Sequence, residues 1–233
     1  MNIETNIISY LRGIRAPFVV YSEEHGVVKL CNQPQYTAIL DGLDGSAVFK
    51  RDRENGRYAT MLGIFKGTNP KFSDYVCSGI IEHPTNELSI AKHGKKNFTI
   101  SCGRNYLYRS TSRALKLDES TRIYADTNYE VVRNLVAGPF KDLTIGFIGS
   151  SAIYYADLAN GKVDAVIECT RKNNLEIAIA FGLIREAGGV MLLADGSSIG
   201  PKQYKTFGQS EHLPVISAAT KRLGKELVAR LDL

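Results

Sequence analysis

The stretch AILDGLDGS, residues 38–46, places two carboxylates, Asp41 and Asp44, directly after an apolar run. An apolar run that ends in Asp-x-x-Asp-Gly is typical of a buried strand that stops at a turn. Carboxylates at such a strand end face the crevice onto which the sheet opens, and they repel one another unless a cation or a proton lies between them. Because Asp and Gly are also common turn residues, these nine residues fit a metal site and an ordinary turn equally well.

A second acidic pair, Glu23 and Glu24, follows another short apolar strand, which we predict over residues 18–21. One acidic pair at a strand end is usually a solvated loop, but two such pairs at nearby strand ends favour a functional cluster. Carboxylates that converge on one crevice without Lys or Arg between them are most simply neutralised by a metal ion. The sequence therefore favours a metal site over two unrelated turns.

Two more carboxylates occur in the second half of the chain. Glu168 ends a buried strand predicted over residues 163–168, and Glu176 lies in the first turn of a helix predicted over residues 175–187, which two glycines close. The helix dipole favours a carboxylate in a first turn in any case. The same position would also allow Glu176 to reach a metal ion held above that end of the helix.

The order of the predicted elements indicates two unlike parts. Residues 2–12 have the apolar spacing of one short amphipathic helix. Short strands with turns between them then follow up to residue 101, which favours a largely antiparallel sheet. From residue 120 strands alternate with helices, as in a mixed α/β part. We therefore predict an α+β half over residues 1–118 and an α/β half over residues 119–233.

Composition restricts the class of protein. A chain of 233 residues suffices for one large domain or two small ones, and its 44% hydrophobic and 23% charged residues are ordinary for a soluble globular protein. The net charge of +5 suits anionic substrates as well as weak contact with nucleic acid. No apolar run approaches a membrane span, and we find no signal peptide. The four cysteines lack metal-type spacing, so we expect reduced thiols in a cytoplasmic protein.

Three further patterns have more than one interpretation. A glycine and two hydroxyls at residues 149–151 begin a predicted helix, where they would seat an anion or a sugar hydroxyl or act as a plain N-cap. Arg171 would bind the second phosphate of a bisphosphate, although an exposed loop arginine is the simpler interpretation. The basic stretch 104–116, with Tyr106 and Tyr108, has the composition of a single-strand nucleic-acid site, but its shortness favours a solvated loop or an anion-binding rim.

Several segments together match one family. The Glu23-Glu24 pair, residues 41–46, and Leu175-Glu176 with eleven residues before Gly188-Gly189 have the order and spacing of a known signature. That signature is Glu-Glu, then Asp-Pro-(Ile/Leu)-Asp-(Gly/Ser)-Thr, then Trp-Asp followed by eleven residues and Gly-Gly. Residues 149–152 and 161–165 also match family segments. The sequence resembles the inositol monophosphatase family, among the magnesium-dependent, lithium-sensitive phosphatases that include fructose-1,6-bisphosphatases and 3'-phosphoadenosine-5'-phosphate phosphatases.

The resemblance implies the layered αβαβα sandwich of the sugar phosphatases, with an N-terminal antiparallel sheet and a C-terminal mixed part. It implies hydrolysis of a small phosphorylated metabolite, of the inositol-1-phosphate or fructose-1,6-bisphosphate type, with two or more Mg²⁺ ions, and it implies a homodimer. The implied metal ligands are Glu23, Asp41, Asp44, Glu176 and the backbone carbonyl of Leu43. The implied catalytic residues are Glu23, Asp44 and Ser46. The implied substrate-binding residues are Gly45, Ser46, Gly149, Ser150, Ser151 and Glu168.

The sequence departs from the family signature at four places. Gly42 replaces proline, Glu176 replaces aspartate, and Leu175 replaces tryptophan. Only 22 residues precede Glu23, which leaves room for one short helix where the family has two long ones. An acidic residue on those helices helps to orient the attacking water, and we predict no counterpart for it that would assist Ser46. A relative that binds metal and phosphate with weak or no catalysis is therefore the alternative interpretation.

Overall fold

The computed structural model describes residues 3–101 and 105–231, which form two β-sheets and six helices. The helices are α1 (Ile3–Gly13), α2 (Ser46–Arg51), α3 (Glu130–Ala137), α4 (Ser151–Ala159), α5 (Leu175–Glu186) and α6 (Lys221–Leu231), with a 3₁₀ turn at Phe72–Asp74. The strands are β1 (Phe18–Ser22), β2 (Gly26–Lys29), β3 (Tyr36–Asp44), β4 (Ala59–Lys66), β5 (Tyr75–Glu82), β6 (Glu87–Lys92), β7 (Phe98–Ser101), β8 (Asn105–Tyr108), β9 (Ile123–Ala125), β10 (Ile145–Gly146), β11 (Ala165–Cys169), β12 (Val190–Leu193) and β13 (Pro214–Ala218).

The first half of the chain forms an eight-stranded sheet in the order β2-β1-β3-β4-β5-β6-β7-β8. Its neighbouring strands are antiparallel, as predicted, except that β1 and β3 run parallel and pair from Phe18 with Tyr36 to Ser22 with Leu40. The parallel pair matters for the site because it brings the carboxyl ends of β1 and β3 to the same edge. Part of the basic stretch forms the last strand, β8, rather than a loop, and Arg104 lies outside the described residues.

The second half forms a five-stranded mixed sheet in the order β10-β9-β11-β13-β12. Helices α4 and α5 lie between the two sheets, since α5 packs on β3 to β6 and on β12, while α4 packs on β4, β5 and β11. Helix α1 packs on β3, and α3 and α6 cover the second sheet from outside. The chain thus has the five αβαβα layers that the resemblance implies, and the fold prediction is confirmed.

The burial of α4 and α5 follows from their sequences. Every residue of α4 is buried, and so are nine residues of α5. A helix that is apolar on all sides is stable only when it is covered on all sides. Helix α5 approaches the first sheet closely because Gly182 lacks a side chain, and a Cβ there would lie 2.7 Å from both Ser78 and Tyr75. This contact fixes the height of α5, and therefore of Glu176, above the sheet.

An ionic bridge connects the two halves of the chain. Arg57, which precedes β4, donates to Glu82 of β5 and to Asp157 of α4, with N–O distances of 2.6 to 2.9 Å. Both carboxylate side chains are at most 5% exposed.

The division that we predict after residue 118 falls between β8 and β9. That this division is a domain boundary stays a prediction.

The described residues can be examined for a membrane-spanning helix and for the pairing of their cysteines. No helix within residues 3–101 and 105–231 is long and apolar enough to cross a membrane. Cys31, Cys77 and Cys169 are unpaired, and Cys102 lies outside the described residues.

Candidate metal and phosphate site

A bulge in β3 brings the carboxylates of Asp41 and Asp44 to the same side of the strand. We predicted that the strand stops before Asp41, but it continues to Asp44. Asp41 pairs with Met61 and Asp44 with Ala59, so three steps along β3 match two steps along β4. Side chains alternate between the faces of a strand, and residues three apart would normally point in opposite directions. The extra residue of a β-bulge removes that mismatch.

Five carboxylates meet at this edge of the first sheet. Oxygen atoms of Asp41, Asp44 and Glu176 lie within 4.8 Å of one another, and so do oxygens of Glu4, Glu23 and Asp41. The two groups share Asp41, which is 3% exposed. Carboxylate oxygens are the ligands that hard cations such as Mg²⁺ prefer. The donor set therefore fits the metal ions that the resemblance implies.

Burial and mutual repulsion raise the pKa values of the cluster. Burial, followed by the charges of Asp44, Glu23 and Glu176, raises the pKa of Asp41 to about 9. Burial and the charge of Glu176 raise the pKa of Asp44 to about 7, although hydrogen bonds from Ser150 and Ala152 oppose the increase. The pKa of Glu23 is also raised, chiefly by burial. Asp41 therefore keeps its proton at neutral pH unless a cation replaces it, and Asp44 is only partly ionised there.

The first turn of α2 lies beside the cluster. Gly45 has a φ of +84° and caps the helix, and Ser46 is its first residue. A Cβ on Gly45 would lie 2.9 Å from the Cβ of Ser150 and 3.2 Å from that of Tyr58, so both the φ and the space require glycine here. The N-terminal backbone N–H groups of a helix suit an anion.

These elements surround one cleft of about 340 Å³. The predicted site residues in its lining are Glu23, Asp41, Leu43, Asp44, Gly45, Ser46, Gly149, Ser151 and Glu176. Two other predicted residues lie behind the lining. Ser150 caps α4 by accepting from the backbone of Ile153, and its hydroxyl donates to Asp44. Glu168 is buried and accepts from the hydroxyls of Ser151 and Tyr155, each at 2.5 Å. Ser150 is thus connected to the cleft through Asp44, and Glu168 through Ser151.

Arg171 occupies the rim of the cleft, and the interpretation as an exposed loop residue is wrong. Its Nη2 lies 3.2 Å from the Oε1 of Glu176 and 3.2 Å from the Oγ of Ser151. The guanidinium also lies 4.6 Å from the ring centroid of Tyr129. A cation therefore touches the acidic cluster at Glu176, where the sequence indicated none, because the short loop between β11 and α5 places Arg171 beside the first turn of α5.

Glu4 belongs to this cluster, although no sequence pattern indicated it. It lies in the first turn of α1 and is fully buried. Its Oε1 accepts from the backbone N–H of Gly42 at 2.9 Å, and its Oε2 accepts from the N–H of Glu24 at 3.1 Å and from the hydroxyl of Ser22. A glutamate in a first turn is an ordinary feature of helices, so its position gave no warning. The signal in the sequence was Gly42, in the place of a proline.

The chain is similar to known proteins over nearly its whole length. The sequence matches the profile of the inositol monophosphatase family over residues 2–231. No curated protein sequence matches the chain.

Solved structures match over 98% of the chain. A hypothetical protein from Pyrococcus horikoshii with similarities for inositol-1 monophosphatase is 23% identical, with a TM-score of 0.71 over 98% of this chain and 82% of that one. The extragenic suppressor protein suhB from Bartonella henselae has a TM-score of 0.77 at 18% identity, over 98% and 81%. A dual specific IMPase/NADP phosphatase bound with D-inositol-1-phosphate has a TM-score of 0.73 at 18% identity, over 98% and 80%. With a family profile that spans nearly its whole length, the chain belongs to the inositol monophosphatase family and is a phosphoric monoester hydrolase.

Proposed function

We propose that the chain hydrolyses a small sugar or inositol phosphate with Mg²⁺ held by its acidic cluster. The observation that supports this most strongly is the meeting of Asp41, Asp44 and Glu176 beside the first turn of α2. Cation ligands and backbone N–H groups at one cleft are what the transfer of a charged phosphoryl group requires. A structural relative is described as bound with D-inositol-1-phosphate, which makes this ester the first substrate to test.

Two or more Mg²⁺ ions would be held by the carboxylates of Glu23, Asp41, Asp44 and Glu176 and by the carbonyl of Leu43. Bound Mg²⁺ supplies a Lewis acid for the phosphoryl oxygens and a bound water of lowered pKa. The N–H groups of Gly45 and Ser46 donate to phosphate oxygens, and the exposed hydroxyl of Ser46 orients the attacking water. Asp41 and Asp44, whose pKa values are raised to about 9 and about 7, must be ionised when the site fills, so binding of the cation releases protons.

The sugar or inositol ring would occupy the other end of the cleft. Gly149 and Ser151 offer it a backbone and a hydroxyl, and Glu168 holds the Ser151 hydroxyl from below at 2.5 Å. Asp126 and Asn128 complete this end with polar groups. Such a lining suits a polyhydroxylated substrate better than a flat aromatic one.

The alternative is a non-catalytic relative, which the short N-terminal segment favours. The carboxylates that meet at the cleft support the catalytic proposal over this alternative. We retain a homodimer and a cytoplasmic location as proposals, and we propose no nucleic-acid partner.

Phosphate release with and without Mg²⁺ tests the function. The substrates are inositol-1-phosphate, fructose-1,6-bisphosphate and 3'-phosphoadenosine-5'-phosphate. We expect release of phosphate from one of the first two, and its loss on adding EDTA. The Asp195→Asn variant, which alters an exposed carboxylate in a turn, serves as the matched control and keeps the activity of the wild type. Absence of release from all three esters over a full range of Mg²⁺ concentrations would refute the proposal.

A further inference from the structure

Glu4 joins the two chain segments that carry Glu23 and Asp41. We infer that Glu4 is a positioning residue that sets the distance between these two carboxylates by binding the backbone beside each of them. One of its oxygens accepts from Ser22 and Glu24, the two neighbours of Glu23. The other accepts from Gly42, the residue after Asp41. The inference rests on the proposed function only in assuming that Glu23 and Asp41 hold a cation.

The position of Glu4 coincides with the place where the strand ladder stops. Strands β1 and β3 pair in parallel up to Ser22 and Leu40, and the N–H of Glu23 still donates to the carbonyl of Leu40 at 3.2 Å. Beyond that point the strands separate, and the bulge removes Gly42 from the ladder with β4. The Glu4 carboxylate accepts from the N–H of Glu24, just beyond the end of β1, and from the N–H of Gly42 on β3. Hydrogen bonds to a charged acceptor are about twice as strong as neutral ones, so one side chain replaces the missing ladder.

The glycine at position 42 is matched to this side chain. A Cβ on Gly42 would overlap the Cγ of Glu4 and would lie 3.3 Å from its Cδ. The φ of Gly42 is not positive, so the backbone conformation does not require glycine here. Proline at this position would fill the same space and would also remove the N–H that Glu4 accepts. Glycine at position 42 therefore leaves both the space and the N–H that the Glu4 carboxylate uses.

A double-mutant cycle in EDTA measures this match without any cation. Gly42→Ala overpacks a buried site, and we expect the melting temperature to fall by about 5 °C. In the Glu4→Ala background the same substitution has room, and the additional decrease disappears. Gly138→Ala is the matched control, since nothing lies within 4 Å of its Cβ and its φ is negative. Equal decreases from Gly42→Ala in both backgrounds would overturn the match.

Binding of Mg²⁺, measured by titration calorimetry, tests the positioning. Glu4→Gln keeps the size of the side chain but turns one acceptor into a donor, so we expect affinity to fall about 10- to 100-fold. Glu24→Gln removes the same charge from an exposed neighbour and serves as the control, with a loss of less than about threefold. Equal losses in both variants would mean that charge alone matters, and would overturn the inference.

The stability of metal-free Glu4→Gln separates positioning from direct ligation. A positioning residue stabilises the metal-free fold, so its melting temperature should fall in the variant. If Glu4 were mainly a ligand that repels Glu23 and Asp41, the melting temperature would stay the same or rise, and the inference would fail. Both readouts are independent of turnover, so a protein that releases no phosphate would refute the proposed function while leaving this test valid.

Discussion

Neutralising Asp44 should stabilise the metal-free protein at alkaline pH. Its pKa is raised from the ordinary 3.8 to about 7, with burial as the main cause and the charge of Glu176 as the next. A tenfold change in an ionisation equilibrium is about 1.4 kcal/mol, so the increase corresponds to about 4 kcal/mol of folding free energy. In Asp44→Asn the amide oxygen takes the place of the carboxylate oxygen that accepts from Ser150 and Ala152, so those contacts are kept.

The sign of the effect depends on pH. Because the folded state binds this proton more tightly than the unfolded state, the wild type loses stability as the pH rises from about 4 to about 7. The variant carries no such proton and is insensitive to pH over that range at this position. In EDTA we therefore expect equal melting temperatures near pH 4 and an increase on the order of 10 °C for Asp44→Asn at pH 8.

Thermal unfolding followed by circular dichroism measures this difference, with Asp195→Asn as the exposed control. Adding Mg²⁺ at pH 8 should stabilise the wild type more than the variant, which keeps Glu23, Asp41 and Glu176, and the variant should release no phosphate. A variant that is less stable than the wild type in EDTA at pH 8 would contradict the proposed origin of the pKa. So would a difference that persists at pH 4.

Three other substitutions have defined outcomes. Arg57→Ala removes the cation that pairs with the buried Glu82 and leaves the buried Asp157 with Lys162 alone, so it should cost about 3 kcal/mol in urea unfolding, whereas a change below about 1 kcal/mol would show that solvent screens the bridge. Gly45→Ala places a Cβ at a φ of +84° and 2.9 Å from the Cβ of Ser150. It should lower the free energy of unfolding by about 1–3 kcal/mol and abolish most of the turnover. Full activity in a phosphate-release assay would show that this glycine is not part of the site. Arg171→Met removes the cation beside Glu176 and should strengthen Mg²⁺ binding severalfold by calorimetry, and weaker binding would show that the arginine orients this ligand.

Most of the fold was accessible from the sequence because its elements have distinct patterns. The alternation of short strands up to β7 and the strand-helix alternation after residue 120 gave the two sheets. The layer order came from the family resemblance, since pattern alone does not show that α4 and α5 lie between the sheets. The parallel pairing of β1 with β3 was missed because consecutive short strands normally form hairpins, and here β2 occupies the outer edge.

The meeting of carboxylates was predictable where the residue itself marks a strand end or a helix start, as for Asp41, Asp44 and Glu176. The bulge was not, because the count of residues on β3 matters only against β4. Glu4 and Arg171 were missed or misjudged for another reason. Each is ordinary in its own segment, and each acquires a role from a contact with a distant part of the chain.

The distribution of the carboxylates along the chain has a kinetic consequence. Glu23, Asp41 and Asp44 come from the first sheet, and Glu176 comes from a helix more than half the chain away. A cation held as we propose would find its complete set of ligands only after α5 has docked on the first sheet, and we expect contacts of such long range to form late in folding. Interactions that form after the transition state slow unfolding without accelerating folding. Mg²⁺ should thus prolong the lifetime of the folded enzyme, while a newly synthesised chain would fold at the same rate in its absence.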